Sequence, residues 1–154
     1  MNPELDLEIR RLIAAPRADV WRAWTDPQQL CQWWLPAPLQ CRVVRLDVHP
    51  GGAMVTAMSE DGSTWQPHLD ACYLAVEPHR RFVYTNAING DLRPVDDPFP
   101  VPLTVEIVLA DHPDGTDYHA IIRHGHAGAR AVHEELGFEF GWNTVTDQLV
   151  ALLA

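Results

Sequence analysis

At 154 residues the chain has the length of one domain, which buries ~70% of the surface its unfolded form exposes and needs neither disulfide nor metal to fold. Eleven basic residues against 21 acidic give a net charge of −10, which repels phosphate backbones and anionic lipid and argues against nucleic acid and membrane surfaces as partners. The three cysteines, Cys31, Cys41 and Cys72, show no Cys-x-x-Cys spacing and suggest neither a disulfide framework nor a zinc knuckle.

The first ten residues alternate apolar and charged side chains instead of forming the apolar core of a signal peptide, and no stretch approaches the ~20 apolar residues of a membrane span. A cytoplasmic protein is the expectation. Leu5, Leu7 and Ile9 alternate with Asp6, Glu8 and Arg10, the period of two of a strand with one wet face. Pro16 ends it. Residues 18–25 have helical composition, with Val20, Trp21 and Trp24 on one stripe. Asp26-Pro27 breaks that helix, and residues 28–34 read as a second short one, stopped by Pro36 and Pro38.

From Arg42 the period of two returns, placing Val44, Leu46 and Val48 on one face. Pro50-Gly51-Gly52 is turn chemistry, residues 53–58 are another strand, and residues 60–63 another turn, so these strands pair antiparallel. Strands over 64–76 and 81–87 flank Glu77-Pro78-His79. An irregular loop over 89–102 carries four prolines. Val105, Ile107 and Leu109 mark the next strand, Asp114-Gly115 a turn, and residues 118–126 a closing strand.

The remainder, from about residue 128 to 154, has no proline, and Phe138, Trp142, Val145, Leu149 and Leu152 recur at helical spacing. Ala129, Val132, Leu136 and Phe140 lie nearly opposite that stripe. Gly137 and Gly141 sit where the stripes exchange, which predicts a bend there or an N-terminal half packed on a different surface. The expected fold is α+β, a single domain over 1–154: a curved seven-stranded antiparallel sheet around a long C-terminal helix, with two short helices after the first strand. A helix laid in such a concavity leaves space, and cavities of that origin bind small apolar molecules.

Several phrases are recognisable. Ala15-Pro16, then Val20-Trp21-Arg22-Ala23-Trp24-Thr25-Asp26-Pro27, Leu30 and Trp33-Trp34, resemble the opening of the family related to the activator of the Hsp90 ATPase, within the START-like, helix-grip superfamily. Leu46-Asp47, Pro50-Gly51-Gly52, Asp61-Gly62, Glu77-Pro78 and Arg81-Phe82 look like its successive turns. His133-Glu134-Glu135, Gly137-Phe138, Gly141-Trp142 and Leu149 look like its final helix. The resemblance runs from about residue 5 to 153 and implies a helix-grip fold with a ligand-sized pocket between sheet and helix. It does not imply chaperone work, because the family's name comes from two-domain eukaryotic proteins. Cys72 stands where the family often carries glycine, a departure expected to narrow the cavity.

The excess of tryptophan divides by pattern. Trp21 and Trp24 follow a helix stripe and are expected in the core, whereas Trp33, Trp34, Trp65 and Trp142 are expected on the cavity wall. Met58 and Tyr84 join them by strand parity, and His124, Phe138 and Val145 complete the expected ligand-binding set. His124 and His126, two apart on a strand, share a face, but zinc would need a third ligand such as His133, Glu134, Glu135 or Cys72, so no metal site is assigned. His68, Asp70 and Cys72 likewise share a face by parity, with a buried inert thiol as the expected outcome. No phosphate loop, His-Glu-x-x-His or Gly-x-Ser-x-Gly is present, so no cofactor is expected.

Three readings follow. The first is a binding domain for a small hydrophobic or aromatic ligand. The second is a cyclase- or hydratase-like enzyme with His68, His124 or His126 beside a carboxylate in the pocket. The third is an interaction module, for a chaperone or as a homodimer, with an exposed apolar patch near Phe99 or a free edge strand beside the long loop.

Overall fold

Segments of period two become strands, and helical stripes become helices, in a computed structural model that describes all residues from Met1 to Ala154. The order is β1 (Asp6–Ile13), α1 (Arg17–Thr25), α2 (Pro27–Leu30), β2 (Gln40–Leu46), β3 (Ala53–Ser59), β4 (Gln66–Glu77), β5 (Arg81–Thr85), β6 (Thr104–His112), β7 (Gly115–Arg123), α3 (Ala127–Glu135) and α4 (Phe138–Leu153). The seven strands form one antiparallel sheet in the order β1-β7-β6-β5-β4-β3-β2. Its edges are β1 and β2, so the strands flanking the long loop, β5 and β6, are interior and give no free edge there. No helix is long and apolar enough to cross a membrane.

Two helix boundaries have plain chemical causes. Asp26 ends α1 and caps α2, its carboxylate accepting from the Gln28 and Gln29 amides, while Pro27 takes the first helical position, where no amide hydrogen is needed. The expected single C-terminal helix is instead two. Gly137 adopts a left-handed conformation, φ +92°, and the chain turns there between α3 and α4. The predicted bend therefore falls at Gly137, while Gly141 continues inside α4.

Beneath α4 and behind α1, the concave face carries the core. Trp24 has no exposed surface and meets Trp33, Trp34 and Phe82 edge-on, with ring centroids 4.8, 5.2 and 5.0 Å apart. Such edge-to-face contacts add about 0.5–1.5 kcal/mol each beyond the area they bury. Along α4, Phe138, Val145 and Leu149 are buried as the stripe predicts. The opposite stripe does not pack on another surface: Ala129 is buried, but Val132, Leu136 and Phe140 are exposed.

Bulges alter the strand parities. The β2–β3 register slips between Val43 and Arg45, so Val43 joins the core-facing side while Val44, expected to accompany Leu46, is exposed. Another slip, between Thr56 and Ala57 on β3, inserts His68 as an extra residue of β4. His68 and Leu69 both reach the concave side, whereas Asp70 accepts from the Gly90 amide in the long loop. The parity row of His68, Asp70 and Cys72 is thus broken. Cys72 is buried outside the core cluster and away from the cavity, which it does not narrow. All three cysteines are free thiols.

Candidate functional site

Between α4 and the sheet lies an apolar cavity of about 410 Å³, within the range of small-molecule sites. Its floor is Met58, Leu69 and Tyr84, its roof Phe138, Trp142 and Val145, and its mouth opens beside the exposed Phe99 and Leu136. Not one of the 18 lining residues carries a formal charge. A second groove, of about 370 Å³, between β1 and α4 has Glu8, Arg10, Glu134 and Glu139 in its lining, a composition that favours water over an apolar guest.

Two polar side chains hold the irregular walls in place. Gln148 on α4 donates to the carbonyls of Trp33 and Leu35 at 2.9 and 2.8 Å and accepts from the Ala37 amide at 2.9 Å, fastening the segment after α2 onto the helix. Buried Asn86 donates to the carbonyls of Phe99 and Val101 and accepts from the Leu103 amide, which turns Phe99-Pro100 toward the mouth. Two glycines leave room along the helical wall. A Cβ at Gly137 or Gly141 would meet no atom within 4 Å, and both residues line the cavity.

Of the expected wall, Trp34, Met58, Tyr84, Phe138, Trp142 and Val145 line the cavity. Trp33, Trp65 and His124 do not. Trp33 is 1% exposed and turned inward, its Nε1 donating to the Ala23 carbonyl at 2.9 Å, so it is core beside Trp24. Trp65 precedes β4 outside the cavity, where the Arg42 guanidinium stacks over its ring at 4.1 Å. His124 follows the end of β7 and stands behind His133, with its Nε2 2.9 Å from His133 Nδ1 and its Nδ1 2.7 Å from the Leu5 carbonyl.

His133 and His68 line the cavity in its place. Neither was in the expected ligand-binding set, although the enzyme reading put His68 in the pocket; one depends on the helix break at Gly137 and the other on a bulge. Leu35, Leu39 and Leu103 were also missed, since they sit in loops with no periodicity to read.

The zinc arrangement does not form. The strand ends at Arg123, His126 caps α3 by accepting from the Ala129 amide, and no group of three or more His, Cys, Asp or Glu side chains converges.

The cavity's titratable groups are neutral near pH 7. Burial lowers His68 to a pKa of about 4; burial, then the neighbouring His124, lowers His133 to about 4. Burial raises the Tyr84 phenol well above 10. His68 Nδ1 lies 3.0 Å from Thr56 Oγ1, which accepts from Trp34 Nε1 at 3.2 Å.

A curved antiparallel sheet gripping a C-terminal helix, with an apolar cavity between them, defines the START-like helix-grip class. The chain belongs to the family described as Activator of Hsp90 ATPase homolog 1-like protein, whose sequence profile matches residues 14–154. Among solved structures it is similar to protein NE0264 from Nitrosomonas europaea, at 37% identity over 99% of this chain and 96% of that one, with a TM-score of 0.86. Protein Ms6760 from Mycobacterium smegmatis is 25% identical over 98% and 91%, with a TM-score of 0.80. An AHSA1-like protein from Aeromonas hydrophila, 19% identical over 96% and 91% with a TM-score of 0.69, shares the fold. No curated protein matches the chain.

Proposed function

We propose that this protein binds a small, uncharged, apolar or aromatic molecule between its sheet and its last helix, in the cytoplasm. The carrying observation is the cavity of about 410 Å³ with hydrophobic walls and no formal charge on its lining. An ionic guest would lose its hydration there without gaining a counter-charge. The family's fold commonly binds hydrophobic ligands, which supports the same reading. Acid–base catalysis with an imidazole beside a carboxylate is less well supported, because two imidazoles line the cavity and no carboxylate does.

One observation favours a second reading. Val132, Leu136 and Phe140 are exposed apolar side chains on either side of the turn at Gly137, Leu136 at the cavity mouth, as on a surface that docks another protein.

Titration with N-phenyl-1-naphthylamine, a neutral fluorophore, separates the two. Trp34 and Trp142 line the cavity, so occupancy quenches tryptophan emission saturably while probe emission rises, and Trp142→Ala removes most of the quenching. Unsaturable, weak probe emission that is unchanged in the variant would replace the carrier with the interaction module.

A further inference from the structure

The hydrogen bonds behind the cavity wall fix which ring nitrogen of each imidazole carries a proton. His124 Nδ1 lies 2.7 Å from the Leu5 carbonyl, and since a carbonyl only accepts, that nitrogen bears the hydrogen. In the Nδ1–H tautomer that this bond selects, His124 Nε2 is bare. It lies 2.9 Å from His133 Nδ1, which must then donate. Neutral His133 is therefore left with a bare Nε2. His133 is 5% exposed and lines the cavity, and no protein group donates to that nitrogen. Because burial keeps His133 neutral down to a pH of about 4, the acceptor persists at physiological pH.

His68 has the opposite polarity. Trp34 Nε1 can only donate, so it occupies one lone pair of the Thr56 hydroxyl. His68 Nδ1, 3.0 Å away, is the one acceptor within reach of the hydroxyl's own proton, which assigns that proton to it. His68 consequently carries its hydrogen on Nε2. The cavity thus offers one acceptor and one donor on otherwise apolar walls.

We propose that the molecule held in this cavity is a neutral, hydroxylated aromatic of the phenol type, whose O–H donates to Nε2 of His133. A hydroxyl supplies the donor that His133 Nε2 lacks, and its oxygen remains free to accept. A plain hydrocarbon would leave a buried acceptor unpaired, a carboxylate would find no cation on the lining, and an ammonium would find no anion. The inference rests on the ligand-binding reading, and its tests fail separately from it.

Displacement of N-phenyl-1-naphthylamine by 2-naphthol and by 2-methylnaphthalene compares a hydroxyl with a methyl group on one ring system. Transfer from water alone favours the methyl compound. We expect 2-naphthol to bind roughly tenfold tighter in the wild-type protein, and the order to reverse in His133→Phe. A wild-type preference for 2-methylnaphthalene, or equal affinities, overturns the hydroxyl assignment and leaves the apolar cavity standing as a ligand site. Displacement by neither compound overturns both. Independently of any variant, long-range 15N–1H correlation spectra of the wild-type protein near pH 7.5 should show His133 with a protonated Nδ1 and a bare Nε2. A protonated Nε2 on His133 overturns the proposal whatever the probes do.

Discussion

Gly141→Leu should raise the melting temperature and abolish binding of N-phenyl-1-naphthylamine. Glycine inside an exposed helix costs about 1 kcal/mol relative to a good helix former, and Gly141 lies within α4. Local crowding does not require it there, since a Cβ would meet no atom within 4 Å. What its absent side chain leaves is space in the cavity. A leucine at this position falls between Phe138 and Val145 on the cavity face of α4, burying apolar surface worth roughly 1–2 kcal/mol in addition to the helical gain. The expected sum is a stabilisation of about 2–3 kcal/mol by thermal or urea unfolding. Probe affinity should fall at least about tenfold, because the guest and the leucine compete for one volume. A destabilised variant that still binds would mean that the space at Gly141 does not belong to the ligand site.

Stability should fall steadily as the pH drops from 6.5 to about 4. His68 and His133 ordinarily titrate at 6.5 but are held to about 4 in the fold. Between those values the unfolded chain binds protons that the folded protein does not, so acid favours unfolding, and the stability present above pH 6.5 is lost as the pH falls toward 4. Each imidazole contributes at most about 3 kcal/mol, less where water enters the cavity. Glu106 acts with the same sign lower on the scale. Burial opposes its ionisation, but Arg81 and Arg123 together hold it below its usual 4.5, so its contribution disappears only under more acid conditions. Urea unfolding followed between pH 7 and 4.5 therefore reads the histidines. The slope should be shallower in His68→Leu, and an unchanged slope there would show that His68 already takes up its proton in the folded state.

How much was legible in the sequence depended on whether a side chain's direction follows from local period. Alternation and helical stripes gave the strand count, the core role of Trp24 and the cavity positions of Phe138, Trp142 and Val145. Period fails at a bulge, where one extra residue reverses the parity beyond it. Val44 was expected inward and lies outside, and His68 enters the cavity beside Leu69 for the same reason. Adjacent Trp33 and Trp34 show a second limit. They follow α2 in an irregular turn, and only long-range bonds, to Ala23 and to Thr56, decide which is core and which is wall. His124 was placed on the wall by strand parity, but the strand stops at Arg123, and the turn of the chain at Gly137 brings His133 in front of it. The loop residues Leu35, Leu39 and Leu103 had no pattern from which to be read, since their positions depend on Gln148 and Asn86 bonding distant carbonyls.

Crystals of the protein pressurised with xenon test the central claim most directly, because xenon enters apolar cavities without any need for a polar contact. The account predicts an ordered xenon atom enclosed by Tyr84, Phe138 and Trp142. Density from those side chains filling the same space, with xenon absent or confined to the outer surface, would contradict it.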